Sequence, residues 1–270
     1  MPRLPDRCPP GRKAALLGGF FLPATFCLSM NHVNFTKPLP KFDPRSIPVQ
    51  GVDDHLAGVA LASLSAESLR RRFMNPPSWT PEHSVEKKFE DRQPALAAVL
   101  VPLVMRHELT LLLTERTTNL STHSGQIAFP GGRTDESDLD AIDTALREAH
   151  EEIGLSRDHV EVLGTLPIYV TGTAFIITPV VALVRPGFTL LPNPGEVADV
   201  FEVPLAYLMN PANHRRHAFE FDGVLRQWLS MPYVERAGVT GRAGDADGNE
   251  RYIWGATAGM LRNLYRFLSA

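Results

Sequence analysis

The chain has 270 residues, 44% hydrophobic and 21% charged, enough for a sizeable core in one large domain or one domain with appendages. Its formal net charge of −3 offers no basic footprint for nucleic acid, which is not an expected partner. The two cysteines, Cys8 and Cys27, both precede Met30, so disulfides, cysteine–metal sites and cysteine nucleophiles are excluded from the main body. That usage fits a reducing cytoplasm, the expected location.

Residues 1–29 join Arg3, Arg7, Arg12 and Lys13 to an apolar run, Ala14 to Leu22, that resumes after Pro23 and ends at Leu28. The run resembles a signal peptide. Its interruption by proline and the lack of a small-x-small cleavage site favour an extension upstream of a start at Met30. No other stretch approaches transmembrane length, so no membrane association is expected.

Residues 30–93 form a second segment. Pro38, Pro40, Pro44 and Pro48 make residues 31–54 an extended or disordered arm. Ala66 to Met74 reads as a helix with Ser65 as N-cap, closed by Pro76-Pro77, and Arg70, Arg71 and Arg72 are expected on its solvated face. Residues 78–93 are charged and loop-like.

The main body, 94–270, opens with a buried strand (Ala95 to Val104), a polar turn (Arg106-His107-Glu108) and a second strand (Leu109 to Thr114), together a hairpin. A polar loop from Arg116 to Ala128 leads through Phe129-Pro130 to a glycine turn, Gly131-Gly132. An acid-rich loop with Asp135, Asp138 and Asp140 follows, then a helix that stops at Gly154. Further strands are expected at Val160–Val170, Ala174–Val184 and Val197–Val203, then a helical turn at Leu205–Met209. The turn Asp222-Gly223 lies between His217–Phe221 and Val224–Leu229 and signals a hairpin. A Gly- and Asp-rich mobile loop spans 237–249, a last strand Tyr252–Trp254. The C-terminal helix, Ala256 to Leu268, puts Leu261, Leu264, Tyr265 and Leu268 on one face. Strands mixed with two main helices indicate an α+β fold.

The chemistry concentrates at 131–155. Ile142, Leu146, Ala149 and Ile153 recur at helical spacing and form a packing stripe. Glu148, Glu151 and Glu152 fall elsewhere, within an arc of roughly 100° at about 100° per residue. Three carboxylates so close repel one another, and a hard divalent cation relieves that repulsion. Arg147 stands four residues before Glu151 and competes for it as an ion pair.

Arg147-Glu148-Ala149-His150-Glu151-Glu152-Ile153-Gly154-Leu155 resembles the second half of the Nudix box, R-E-U-x-E-E-x-G-U with U apolar. Gly132 and Asp138 resemble the leading glycine and the acid of that box, with Asp in place of Glu and one extra residue before Arg147. The segments Leu112-Leu113-Thr114-Glu115-Arg116, Gly125 to Gly132, Asn193-Pro194-Gly195-Glu196-Val197 and Ile253-Trp254-Gly255-Ala256-Thr257-Ala258 are similar to the coenzyme A diphosphatase branch of Nudix hydrolases. The resemblance covers about 94–268.

It implies an α/β/α sandwich with a mixed sheet and a metal-dependent hydrolase. Mg²⁺ or Mn²⁺ would be held by Glu148, Glu151 and Glu152 and the carbonyl of Gly132. Glu151 or Glu196 would be the general base, and Arg116, Gly131 and Gly132 would contact substrate. The implied substrate is coenzyme A or a derivative, cleaved to adenosine 3′,5′-bisphosphate and 4′-phosphopantetheine. ADP-ribose and NADH are the alternatives within the family. A non-catalytic nucleotide sensor is the alternative outside catalysis, although it predicts eroded carboxylates and all three are present. Thr117 and Ser121 depart from the branch signature, which has Ser or Ala and then Arg. Substrate choice is expected to turn on these two positions, because arginine is the natural phosphate clamp. His123 is a neutral loop residue or a partial substitute for that clamp. A second copy of the chain is left open as the one macromolecular partner.

Overall fold

A computed structural model describes residues 43–82, 93–118, 125–221, 224–235 and 249–270. The extension 1–29, Ser121, His123, the Asp222-Gly223 turn and the 237–249 loop apart from Asn249 lie outside them. In chain order the strands are β1 (Val49–Val52), β2 (Ala95–Met105), β3 (Leu109–Arg116), β4 (Ile127–Ala128), β5 (Gly131–Arg133), β6 (Val160–Thr165), β7 (Tyr169–Val170), β8 (Phe175–Val184), β9 (Val197–Pro204), β10 (Arg215–Phe221), β11 (Val224–Val234) and β12 (Glu250–Trp254). The α-helices are α1 (Ala66–Met74), α2 (Ala141–Ile153), the single turn α3 (Leu205–Leu208) and α4 (Gly255–Ser269).

The larger sheet is built on β2. The predicted hairpin forms, with Leu103 opposite Leu111, and β8 runs parallel to β2 from Ala95 to Val104. Burial on both faces explains why both sequences are unbroken apolar runs rather than alternating ones. The remaining pairs of this sheet are antiparallel, β9 and β4 on β3, β6 and β7 on β8, and β5 on β2. A second, antiparallel sheet runs β1-β10-β11-β12.

Side chains alternate across β2 and β3 and so build two cores. Ala98, Leu100, Val104 and Leu112 meet Ala145, Ala149 and Ile153 of α2. Val99, Val101, Leu103, Leu111 and Leu113 meet Met260, Leu261, Leu264 and Leu268 of α4. Each such leucine contributes about 1.5–3 kcal/mol by leaving water. The result is the expected α+β architecture, a mixed sheet with a helix on each face.

Three local expectations are corrected. The strand expected over Val160–Val170 is two strands, β6 and β7, separated at Leu166-Pro167-Ile168, since Pro167 has no N–H to give a ladder. The glycine turn is a strand, with Gly131 opposite Val99 and Gly132 opposite Ala98. The arginines of α1 are not a uniformly solvated face. Arg70 makes a two-point ion pair with Glu161 at 2.7 Å, Arg72 donates to the carbonyls of Leu268 and Ala270, and only Arg71 faces solvent. Ser65 caps α1 as predicted, accepting from the Ser68 N–H at 3.2 Å.

The described part of the 30–93 segment is integral to the body. Leu64 and Leu69 are buried in the core on the α4 side, and β1 pairs with β10. Asp53 and Glu82 meet Arg216 and Arg262 in a partly buried network. There Nδ1 of His214 faces the Arg262 guanidinium at 3.1 Å and its Nε2 the Leu208 carbonyl at 2.7 Å. Burial and the adjacent arginine hold this imidazole neutral, its pKa lowered to about 4. No helix among the described residues is long and apolar enough to cross a membrane.

Candidate functional site

Helix α2 carries the carboxylates because both of its ends are fixed. The side chain of Asp140 caps its first turn by accepting from the Asp143 N–H at 2.9 Å. At the other end Gly154 adopts the left-handed conformation (φ 69°) that favours glycine, and its N–H returns to the His150 carbonyl at 2.9 Å. The buried face comprises Thr144, Ala145, Ala149, Glu152 and Ile153. Glu152 thus lies with the packing residues, whereas Ile142 and Leu146 are only partly buried.

The three glutamates occupy different surroundings. Glu152 is 3% exposed and its Oε2 accepts the Gly131 N–H at 3.2 Å. Arg116 approaches Oε1 only to 3.5 Å. Burial raises the Glu152 carboxyl to about pH 7, against the help of Gly131 and Arg116, and Glu148 and Glu196 push it the same way. Glu148 is also raised, first by burial, with Arg147 opposing and Glu151 and Glu196 adding repulsion. Glu151 stands on the exposed face, paired with Arg147 at 3.1 Å as its i,i+4 spacing predicts. Glu148, Glu152 and Glu196 are therefore brought into mutual electrostatic reach, and Glu151 stands further out.

The glycines are there for room. A Cβ on Gly132 would fall 2.5 Å from the Glu148 carboxylate, and one on Gly131 would fall 2.5 Å from the Ala98 carbonyl oxygen. Only glycine lets β5 pass between β2 and the helix carboxylates.

Asp138 and Arg147 hold the acidic loop on α2. The guanidinium donates to both Asp138 oxygens, at 2.8 and 2.9 Å, to the Arg133 carbonyl at 3.0 Å and to Glu148 at 3.0 Å. Asp138 also accepts from the Asp135 N–H and the Thr144 hydroxyl. The Arg147 guanidinium holds the Asp138 carboxyl far below the usual carboxylate range. The shorter Asp side chain and the extra loop residue still close this bidentate pair.

Arg116 ends β3 beside Glu152, and its buried Nε has no hydrogen-bond partner among the described residues. An unpaired buried guanidinium N–H is costly.

Glu196 sits on a loop with anchors on two sides. Its carbonyl accepts the Thr117 N–H at 3.0 Å, and the Gly195 carbonyl accepts the Thr117 hydroxyl at 3.2 Å. Asn193 donates its N–H to the Glu152 carbonyl at 2.8 Å, and its side-chain oxygen accepts the Gly195 N–H at 3.0 Å. Thr117, expected to bear on substrate choice, is buried with its hydroxyl engaged inside the protein. Asn193 is absent from the sequence-derived candidates. The signal for it was an Asn directly before Pro-Gly, which marks an Asx-type turn.

Among the described residues no three of His, Cys, Asp and Glu already converge as a preformed metal cage. The donor set nonetheless suits a hard cation: two buried or half-buried carboxylates, both destabilised as anions, with a third acid nearby. A cation between Glu148 and Glu152 would supply the missing positive charge.

The chain is similar to known proteins. The NUDIX domain family model matches residues 94–222. A relative from Yersinia enterocolitica, named uncharacterized Nudix hydrolase NudL, is 40% identical over 168 residues, covering 62% of this chain and 78% of the relative. The Escherichia coli K12 protein of the same name is 38% identical over 169 residues, covering 62% of this chain and 80% of its own length. Among solved structures, a MutT/nudix family protein from Enterococcus faecalis aligns over 76% of this chain and 75% of its own, at 15% identity and a TM-score of 0.38.

Proposed function

The chain belongs to the Nudix hydrolase family, and we propose that within it this protein cleaves the diphosphate of coenzyme A or its derivatives, releasing adenosine 3′,5′-bisphosphate and (acyl-)4′-phosphopantetheine. It is a hydrolase of diphosphate bonds, and the substrate rests on the residues flanking the box. Leu112 to Arg116, Gly125 to Gly132 and Asn193 to Val197 resemble the coenzyme A branch, and β3 carries the first segment between β4 and β9.

The observation that carries the reading is the pairing of Glu148 and Glu152, both strained as anions, with the unpartnered Nε of Arg116. Mg²⁺ or Mn²⁺ held by Glu148, Glu152 and the Gly132 carbonyl, with Glu151 at the rim, would supply Lewis acidity and offset charge on the diphosphate. Arg116 donates to a non-bridging phosphoryl oxygen and holds the substrate. Glu196, which faces the same carboxylates, accepts the proton of the attacking water. Water oxygen bonds to phosphorus, the bridging P–O bond breaks, and two phosphomonoesters leave. Glu151 is the weaker candidate for the base, since it is exposed and already paired with Arg147.

A Mg²⁺-dependent assay against coenzyme A, ADP-ribose and NADH, with Glu152→Gln as control, tests this. Preference for coenzyme A and an inactive control are expected. Preference for ADP-ribose or NADH would reassign the substrate, and an active Glu152→Gln protein would overturn the site.

A further inference from the structure

We propose that Thr117 is a positioning residue for Glu196, an inference that rests on Glu196 being the general base. A base on a loop after Pro194-Gly195 gains from being fixed, because proton transfer needs its carboxylate within hydrogen-bond reach of one water. Thr117 supplies two bonds to consecutive residues of that loop. Its N–H goes to the Glu196 carbonyl at 3.0 Å and its hydroxyl to the Gly195 carbonyl at 3.2 Å. The N–H bond is available to any residue but proline. The hydroxyl bond is not, and it is the part of the clamp that the side chain determines.

On the opposite flank Asn193 ties the same loop to α2, through the Glu152 carbonyl at 2.8 Å, and its own carbonyl accepts the Glu196 N–H at 3.0 Å. Glu196 is thus held between the end of β3, one residue past Arg116, and the turn of α2 that carries Glu152. Thr117 connects the strand that presents the phosphate-binding arginine to the loop that presents the base. The distance between substrate and base is set through it. Its buried hydroxyl, engaged within the protein, has this positioning as its task rather than contact with the substrate.

Thr117→Val keeps the shape and removes the hydroxyl, and Thr117→Ser keeps the hydroxyl. With coenzyme A and Mg²⁺, Thr117→Val should lower kcat about tenfold with KM within about twofold, and Thr117→Ser should restore kcat. Glu196→Gln should cost about 10²–10⁴ in kcat. The double variant Thr117→Val/Glu196→Gln should be no slower than Glu196→Gln alone, because a residue acting only through Glu196 has nothing left to position. Wild-type kcat in Thr117→Val, no recovery in Thr117→Ser, or additive losses in the double variant would each overturn the positioning role while leaving Glu196 as base. Full activity of Glu196→Gln would remove the base assignment itself, and the positioning role with it.

Discussion

The Gly131 N–H donates to Oε2 of Glu152 at 3.2 Å, the one backbone hydrogen bond that the buried carboxylate receives among the described residues. It does not offset burial, so the carboxyl titrates near pH 7 rather than at its usual 4.5. The folded pKa lies above the unfolded one, so the protonated form stabilises the fold fully below about pH 4.5. That contribution disappears as pH rises through about 7 and amounts to about 3 kcal/mol. Melting curves of metal-free wild type and Glu152→Gln should therefore diverge over this window, with the variant the more stable at pH 8. Mg²⁺ at pH 8 should raise the Tm of the wild type more than that of Glu152→Gln. Parallel Tm–pH curves would refute the shifted carboxyl.

The two glycines of β5 separate stability from activity. Gly131→Ala drives a methyl into the backbone of β2, 2.5 Å from the Ala98 oxygen, and should destabilise by about 1–3 kcal/mol in chemical denaturation. Gly132→Ala meets the carboxylate end of the Glu148 side chain rather than backbone and should lose less stability. It displaces the carboxylate, however, and should cost about 10² in kcat. Equal effects of the two substitutions on both properties would contradict this division.

Arg116 is the predicted anion clamp. Its ion pair with Glu152 is long, at 3.5 Å, and its Nε has no partner among the described residues, so Arg116→Ala should leave Tm within about 2 °C while raising the KM for coenzyme A about tenfold or more. Steady-state kinetics beside a thermal melt decide it. An unchanged KM would place the substrate elsewhere.

Glu82 is held by Arg216 and Arg262 at 2.8 and 2.9 Å, and those arginines keep its carboxyl at about 2 despite partial burial. Its stabilisation is present above about pH 4.5 and lost as pH falls toward 2, the opposite sense to Glu152. Glu82→Gln should cost about 3 kcal/mol at pH 7 by leaving two guanidinium groups short of an anion. Urea denaturation at pH 7 and pH 3 should show the difference shrinking at the lower pH.

Much of the site was readable in the residue order because its spacing is local. Glu148, Glu151, Glu152, the capping Asp140 and the terminating Gly154 lie on one helix, where periodicity alone fixes their relative directions. Whether each acid meets water or protein depends on β5, which reaches α2 only by pairing with β2. That is why Glu152 was expected apart from the packing stripe and is found buried with it, and why a glycine turn proved to be a strand. Arg116, Thr117 and Glu196 come together through the pairing of β3 with β9, a contact between residues about 80 apart, which no helical or strand period encodes. Likewise Arg70 and Arg72 looked like solvent-facing charges until Glu161 and the last carbonyls of α4 arrived as partners.

Leu64 and Leu69 share a core with Leu103, Leu111 and Leu264, although both lie outside the 94–222 span that the family model matches. Kinship and cooperativity therefore have different borders in this chain. A version cut at Pro94 would keep every candidate site residue yet forfeit two interior leucines, each worth about 2–5 kcal/mol if their sites stay hollow. It would also leave Arg216 and Arg262 without their counter-anions. Such a fragment should precipitate or melt below room temperature. A circular-dichroism melt would tell, and a well-folded fragment would show that the leading segment only decorates the hydrolase.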